Sequence, residues 1–232
     1  MGFVTPERLV LLHGSVTNAA LTWGAQAALA DRFELVLANR PGFPPNPPVE
    51  RVDFDSDAVW LESIARAGDH LVGHSYGGVI ALLAAPRLPL ASLTVIEPPA
   101  FGVARGDPAV ERWLVGAAAL PRTSVRAHLE AFLPHVGARF PLPDPLPPDL
   151  QQGAEAFYSE RRPDEAEIPL EPLSYPVLVV TGDHEQAFEV VADVLCARLG
   201  AERLVLRGGG HAVQRVPGFN TALEKFIARR SP

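Results

Sequence analysis

The pentapeptide Gly73-His74-Ser75-Tyr76-Gly77 has the G-x-S-x-G spacing that sets a serine on a sharp turn between a strand and a helix. The chemistry needs that turn, because the hydroxyl must stand clear of the backbone to attack a carbonyl. The small flanking residues let strand and helix approach closely, and the helix N-terminus offers N–H groups to a developing oxyanion. His211 follows Gly208-Gly209-Gly210, on a loop able to reach Ser75, and an imidazole titrates near working pH. Ser75 therefore reads as nucleophile and His211 as its general base. A carboxylate is needed to orient the histidine, and the residues leave three open: Asp183, Glu185 and Glu97. The oxyanion donors are expected at the N–H of Tyr76 and at that of Ser15, with Val16 as the alternative.

These residues need a frame of strands ending at one edge. Arg8–Leu12, Phe33–Ala38, His70–Gly73 and Leu93–Ile96 read as buried strands. Between them, 18–30, 55–67 and 78–85 read as helices, with Asn18 as a cap. Residues 40–48 (RPGFPPNPP) form a loop. Strand–helix alternation predicts a mostly parallel sheet with helices on both faces. The alternation stops between residues 100 and 173, where 109–119, 124–132 and 150–161 read as helices joined by proline-rich segments. It resumes with a strand at 176–180, a helix at 186–199, a strand at 203–206 and a helix at 220–230 capped by Asn220. The expected organisation is a core in two parts, 1–99 and 174–232, with 100–173 inserted as a helical cap. That gives an α/β fold with about six strands.

Composition narrows the partners. The net charge is −7 and no basic run tracks a phosphate backbone, so nucleic acid is not an expected partner. No apolar run reaches the ~18 residues of a membrane span, and residues 1–6 show no secretory leader, so a cytoplasmic location is expected. Cys196 is the single cysteine and reads as a buried, inert thiol within a helix. Asp183-His184-Glu185 are adjacent in sequence, and such neighbours rarely converge on one ion, so no metal site is expected. Gly208-Gly209-Gly210 lacks the spacing of a dinucleotide loop, so no cofactor is expected. His13 and His184 read as loop residues near the pocket, and His74 as a local packing residue.

Five segments taken in order, Leu11-Leu12-His13-Gly14-Ser15, Asn39-Arg40-Pro41-Gly42, Gly73-His74-Ser75-Tyr76-Gly77-Gly78, Pro176-Val177-Leu178-Val179-Val180-Thr181-Gly182 and Gly209-Gly210-His211, resemble the α/β-hydrolase superfamily. The resemblance implies a capped parallel sheet and an acid three residues after the glycine ending the penultimate strand. Counting from Gly182 gives Glu185, where many members carry Asp; Asp183 is the alternative. Only eight residues precede Leu9, so the two usual N-terminal strands are expected to be missing. The implied activity is that of a serine hydrolase forming an acyl-enzyme on Ser75 and cleaving an ester of a small, partly apolar substrate. Trp113, Phe132, Phe157 and Tyr158 of the insertion are expected to wall the pocket. A lyase, a cofactor-free oxygenase or a ligand-binding protein on the same fold is the alternative. Oligomeric state is not legible.

Overall fold

The computed structural model describes residues 6–138 and 140–229. Residues 1–5 of the stretch read for a leader, and Arg230 at the expected end of the last helix, lie outside the described residues. The strands are β1 (Glu7–Leu12), β2 (Phe33–Ala38), β3 (His70–His74), β4 (Ser92–Ile96), β5 (Val177–Thr181) and β6 (Glu202–Val205). They form one sheet in the order β2-β1-β3-β4-β5-β6, parallel throughout. The helices are α1 (Ala19–Thr22), α2 (Phe54–Glu62), α3 (Tyr76–Ala84), α4 (Pro108–Ala118), α5 (Val125–His135), α6 (Pro148–Tyr158), α7 (Gln186–Leu199) and α8 (Phe219–Ala228).

The near-continuous apolar strand runs are explained by burial on both faces. Val10, Leu12, Leu71, Val95 and Val179 pack with residues of α2, α3 and α7. Their sequence neighbours Leu9, Leu11, Val72, Ile96 and Val180 pack with Ala19 of α1 and Phe219, Leu223 and Phe226 of α8. The two-residue side-chain period of a strand thus serves two separate cores.

Two expected elements differ. Asn18 caps α1 as predicted, its side chain accepting from the Leu21 N–H at 3.0 Å. The expected single helix over 18–30, however, ends at Thr22 and continues as a 3₁₀ turn over Gly24–Leu29. Gly24 costs backbone entropy in an α-helix, and the break seats Trp23 in the core at 2% exposure. The closing helix starts after Gly218, which makes no side-chain cap. Asn220 does not cap it: its amide donates to the Ala25 carbonyl at 2.9 Å and accepts from Gln26 at 2.7 Å, tying α8 to the Gly24–Leu29 turn.

Strand order reverses at β1, which has β2 on one side and β3 on the other. In such sheets a crevice opens at the carboxyl ends of the strands flanking the reversal. The loops after β1 and β3 carry Gly14-Ser15 and Ser75. Between β4 and β5 the described residues form α4, α5 and α6 with 3₁₀ turns and no strand. Asp107 and Ser124 cap α4 and α5 by accepting backbone N–H bonds at 2.8 and 3.1 Å. Val16 leaves the sheet to pack with Leu129, Leu133 and Ala154, which seats this three-helix segment over the crevice.

Candidate active site

The elbow forms because its glycines leave room. A Cβ on Gly73 would lie 2.6 Å from the Gly77 carbonyl oxygen, and one on Gly77 would lie 2.4 Å from that of His13. Gly14 is as constrained, since its Cβ would meet Ser75 Cβ at 2.8 Å. The loop after β1 therefore packs directly against Ser75. Ser75 itself sits at φ 53°, ψ −124°, a region that costs a non-glycine residue about 1–3 kcal/mol. Strand pairing holds it there: the Ser75 N–H donates to the Ile96 carbonyl at 2.8 Å.

His211 Nε2 lies 2.9 Å from Ser75 Oγ, and both residues are 8% exposed. His74 fixes the histidine loop from below, with Nε2 donating to the His211 carbonyl at 2.9 Å. Burial, reinforced by the neighbouring His211, pushes the His74 pKa down to about 3, so it is a neutral strut. This bond reaches a distant loop, where local packing or local hydrogen bonding was expected.

The other nitrogen of His211 faces Glu97. Glu97 Oε2 is 3.6 Å from His211 Nδ1 and 3.5 Å from His184 Nδ1, and the carboxylate is fully buried. These are ion-pair distances, and such contacts tighten when substrate arrives. Its Oε1 accepts from the Gly182 N–H at 2.6 Å. Burial alone would raise the Glu97 pKa, but the two imidazoles beside it, His184 and His211, outweigh burial and lower the pKa to about 2. The same carboxylate raises the pKa of His184 against the opposing effect of burial.

Glu185, expected to face His211, does not. It is the N-cap of α7, its carboxylate accepting from the Ala187 N–H at 3.4 Å. Because α7 begins at Gln186, the third position after Gly182 is already committed to the helix start. The alternative, Asp183, points outward and pairs with Arg207 at 3.3 Å. Glu97, directly after β4, fills the place instead. Its signal in the sequence was a lone carboxylate ending an apolar strand, Ile96-Glu97-Pro98.

Tyr76 opens α3, so its N–H has no acceptor one turn earlier in the helix. Ser15 follows Gly14, which packs against Ser75. Val16, the alternative donor, is buried at φ 71° in a tight turn closed by the Thr17 N–H on the Ser15 carbonyl at 2.8 Å. Beneath this loop lies a polar cluster that the sequence did not announce. Arg40, 0% exposed, donates to Asp57 at 2.9 Å, to the Gly14 carbonyl at 2.9 Å and to Glu160 at 3.0 Å. Its guanidinium lies between the rings of Phe43 and Tyr76, 4.6 and 4.5 Å from their centroids. Glu160 also accepts from Ser15 Oγ at 2.5 Å. His13 completes the cluster, donating from Nδ1 to the Gly14 carbonyl at 2.8 Å and accepting the Arg40 N–H on Nε2 at 3.0 Å. Burial and the Arg40 charge hold its pKa down near 3.

A cavity of about 220 Å³ opens onto Ser75 and His211. Trp113, Phe132, Phe157 and Phe188 form apolar walls, and Glu160 closes one side. Tyr158, expected among the walls, instead lies under the Arg122 guanidinium and donates to the Arg122 carbonyl at 2.7 Å. Cys196 is half-buried in α7, away from the cavity, and burial pushes its thiol pKa up.

Comparison with known proteins agrees with this layout. Residues 9–221 match the alpha/beta hydrolase family as a whole. The chain belongs to that family. Over 100 residues this alpha/beta hydrolase is 35% identical to the pimeloyl-[acyl-carrier protein] methyl ester esterase of Aeromonas hydrophila, a match spanning 40% of the chain and 39% of that protein. Its fold is similar to that of MenH from S. aureus, with a TM-score of 0.73 and 19% identity, covering 99% of this chain and 96% of that one. It is also similar to carboxylesterase CesB from Bacillus subtilis, with a TM-score of 0.66 and 19% identity, covering 98% and 85%. At these identities the two structures speak for the fold alone. Among the described residues no helix is long and apolar enough to cross a membrane.

Proposed function

We propose that this protein is a serine hydrolase that cleaves an ester of a small, partly apolar molecule through an acyl-enzyme on Ser75. The observation that carries the reading is the 2.9 Å contact between His211 Nε2 and Ser75 Oγ, with Glu97 on the opposite face of the imidazole and an apolar cavity above. His211 Nε2 takes the proton of Ser75 as Oγ attacks the ester carbonyl. The N–H groups of Tyr76 and Ser15 receive the oxyanion. The imidazolium then protonates the departing alcohol. Water, deprotonated by the same nitrogen, attacks the acyl-enzyme, and the imidazolium returns that proton to Ser75 Oγ as the acid leaves. Glu97 replaces Glu185 as the orienting carboxylate: it keeps the imidazole proton on Nδ1 and stabilises the imidazolium. The three-helix segment acts as the cap, its aromatic walls suiting an uncharged acyl or alkyl group.

Hydrolysis of p-nitrophenyl esters of graded acyl length, by wild type and Ser75→Ala, tests this. The expected result is turnover by wild type with an optimum among short chains, falling about 10⁴–10⁶-fold in the variant. Turnover that survives in Ser75→Ala, or none by wild type on any ester, would overturn the reading in favour of a lyase, an oxygenase or a ligand-binding role.

A further inference from the structure

Glu97, His184 and His211 arrive from three different loops, after β4, after β5 and after β6, and their ligand-type atoms all lie within 4.8 Å of one another. The adjacent acids of the Asp183-His184-Glu185 stretch take no part. Glu97 Oε2 and the Nδ1 atoms of His184 and His211 are buried and lack a hydrogen-bond partner, being held only at ion-pair distances of 3.5 and 3.6 Å. Contacts this long leave the three groups free to close around an occupant instead. The spacing has a second meaning. Zinc bonds of 2.0–2.2 Å in tetrahedral geometry set ligand atoms about 3.3–3.5 Å apart, close to both Glu97 distances. Two imidazoles and one carboxylate suit zinc and its late first-row neighbours, whereas magnesium and calcium prefer oxygen alone. His184 and His211 keep 13% and 10% side-chain exposure, which gives an ion an entry path to the buried carboxylate.

From this arrangement we infer that Glu97, His184 and His211 Nδ1 form a binding site for a divalent zinc-type ion that switches the hydrolase off. The inhibition rests on the reading of His211 as general base; the binding does not. A neutral imidazole carries one proton. With Nδ1–H towards Glu97, Nε2 has a free lone pair for the Ser75 hydroxyl. A metal on Nδ1 takes that nitrogen's lone pair, and the ring proton moves to Nε2. Nε2–H can donate to Ser75 Oγ but cannot accept its proton, so nucleophile activation stops. No proton leaves His211, and its ring stays where the 2.9 Å contact to Ser75 holds it. The metal also takes up the carboxylate charge that would stabilise the imidazolium.

Zinc chloride is titrated against hydrolysis of a p-nitrophenyl ester, each protein being compared with its own metal-free rate. In parallel, cobalt(II) is added to the same proteins and its visible absorption recorded, which reports coordination whether or not any ester is turned over. The expected result is inhibition of wild type by micromolar zinc that EDTA reverses, and an intense tetrahedral cobalt spectrum at one ion per chain. His184→Gln and His184→Asn should each raise the half-inhibitory zinc concentration at least about tenfold, since loss of even an outer partner of a metal site costs 10–100-fold. Both should lose the cobalt spectrum; two variants keep the test standing if one fails to fold. Equal zinc sensitivity in wild type and the variants, or no tetrahedral cobalt absorption by wild type, would overturn the site. An absence of ester turnover alongside a positive cobalt spectrum would overturn the serine-hydrolase reading and leave the metal site intact.

Discussion

Two glutamates flank the same serine, both out of water, and their environments drive them in opposite directions. Glu97 sits between two histidines and under a backbone N–H, and its pKa falls to about 2. Burial pushes Glu160 up to about 7, although Arg40 and the Ser15 hydroxyl both favour its charged form. The difference lies in how many acids share each cation. Arg40 serves Asp57 and Glu160 together, so one positive charge faces two carboxyls, and burial raises the Asp57 pKa as well. Glu97 shares its imidazoles with no other buried acid. A carboxylate meant to stabilise a transient imidazolium must stay ionised, which Glu97 does. Glu160 is suited to a different role, tying the three-helix segment to the loop that carries Ser15.

The sharpest break in this comparison comes from removing the charge of Glu97. Glu97→Gln should lower kcat by about 10⁴-fold, the cost of losing an orienting acid while keeping its shape. Glu185→Gln should stay within a few-fold of wild type in kcat and lose only about 0.3–1 kcal/mol of stability, since glutamine keeps an accepting oxygen and only the charge at the helix N-terminus is removed. Steady-state kinetics on one p-nitrophenyl ester decide between the two acids. A large loss in Glu185→Gln with little in Glu97→Gln would reverse the assignment.

The misplaced acid marks where the sequence stops being readable. The parallel sheet, the insertion point and the Ser75–His211 pair follow from local signals: apolar runs, two glycine-flanked loops and strand–helix alternation. The start of helix α7 at Gln186 is legible and holds, but not that Glu185 turns its carboxylate to the Ala187 N–H while Glu97, from the loop after β4, comes to face His211. Contacts between loops after different strands leave no local pattern in a sequence. The Arg40–Asp57–Glu160 cluster is harder still to foresee. Its members come from a proline-rich loop, a core helix and the segment after α6, and no periodicity relates them. The same holds for Tyr158, whose ring and hydroxyl at the end of α6 are taken up by Arg122.

The raised pKa of Glu160 makes a second prediction, with a defined sign. A carboxyl whose folded pKa lies above its unfolded value of 4.5 contributes stability that is full below pH 4.5 and is lost as pH rises through about 7. A shift of this size corresponds to roughly 3 kcal/mol. Urea unfolding of wild type and Glu160→Gln at pH 4.5 and pH 8 isolates the effect. The loss on going to pH 8 should be larger in wild type by about that amount. Identical pH dependence in both proteins would mean that Arg40 holds Glu160 ionised and that the contrast with Glu97 is false. In catalysis the same substitution should cost about tenfold in kcat with little change in KM. That is less than the 10²–10³ of deleting an oxyanion donor, because the Ser15 N–H remains and only its support is weakened.

The smallest expected effect probes the link itself. Ser15→Ala keeps the backbone N–H assigned to the oxyanion but removes the Oγ–H that Glu160 accepts at 2.5 Å. A hydrogen bond to a charged group contributes about 1.5–3 kcal/mol, and Arg40 still holds both Glu160 and the Gly14 carbonyl from the other side. The loop should therefore stay near its place, and kcat should fall only a few-fold. If Glu160 acts through Ser15, the double variant Ser15→Ala/Glu160→Gln should be no slower than Glu160→Gln alone. If Glu160 contacts substrate from the cavity wall, the two losses should multiply and KM should rise with Glu160→Gln. The double-variant cycle therefore separates a carboxyl that positions the oxyanion loop from one that reads the substrate.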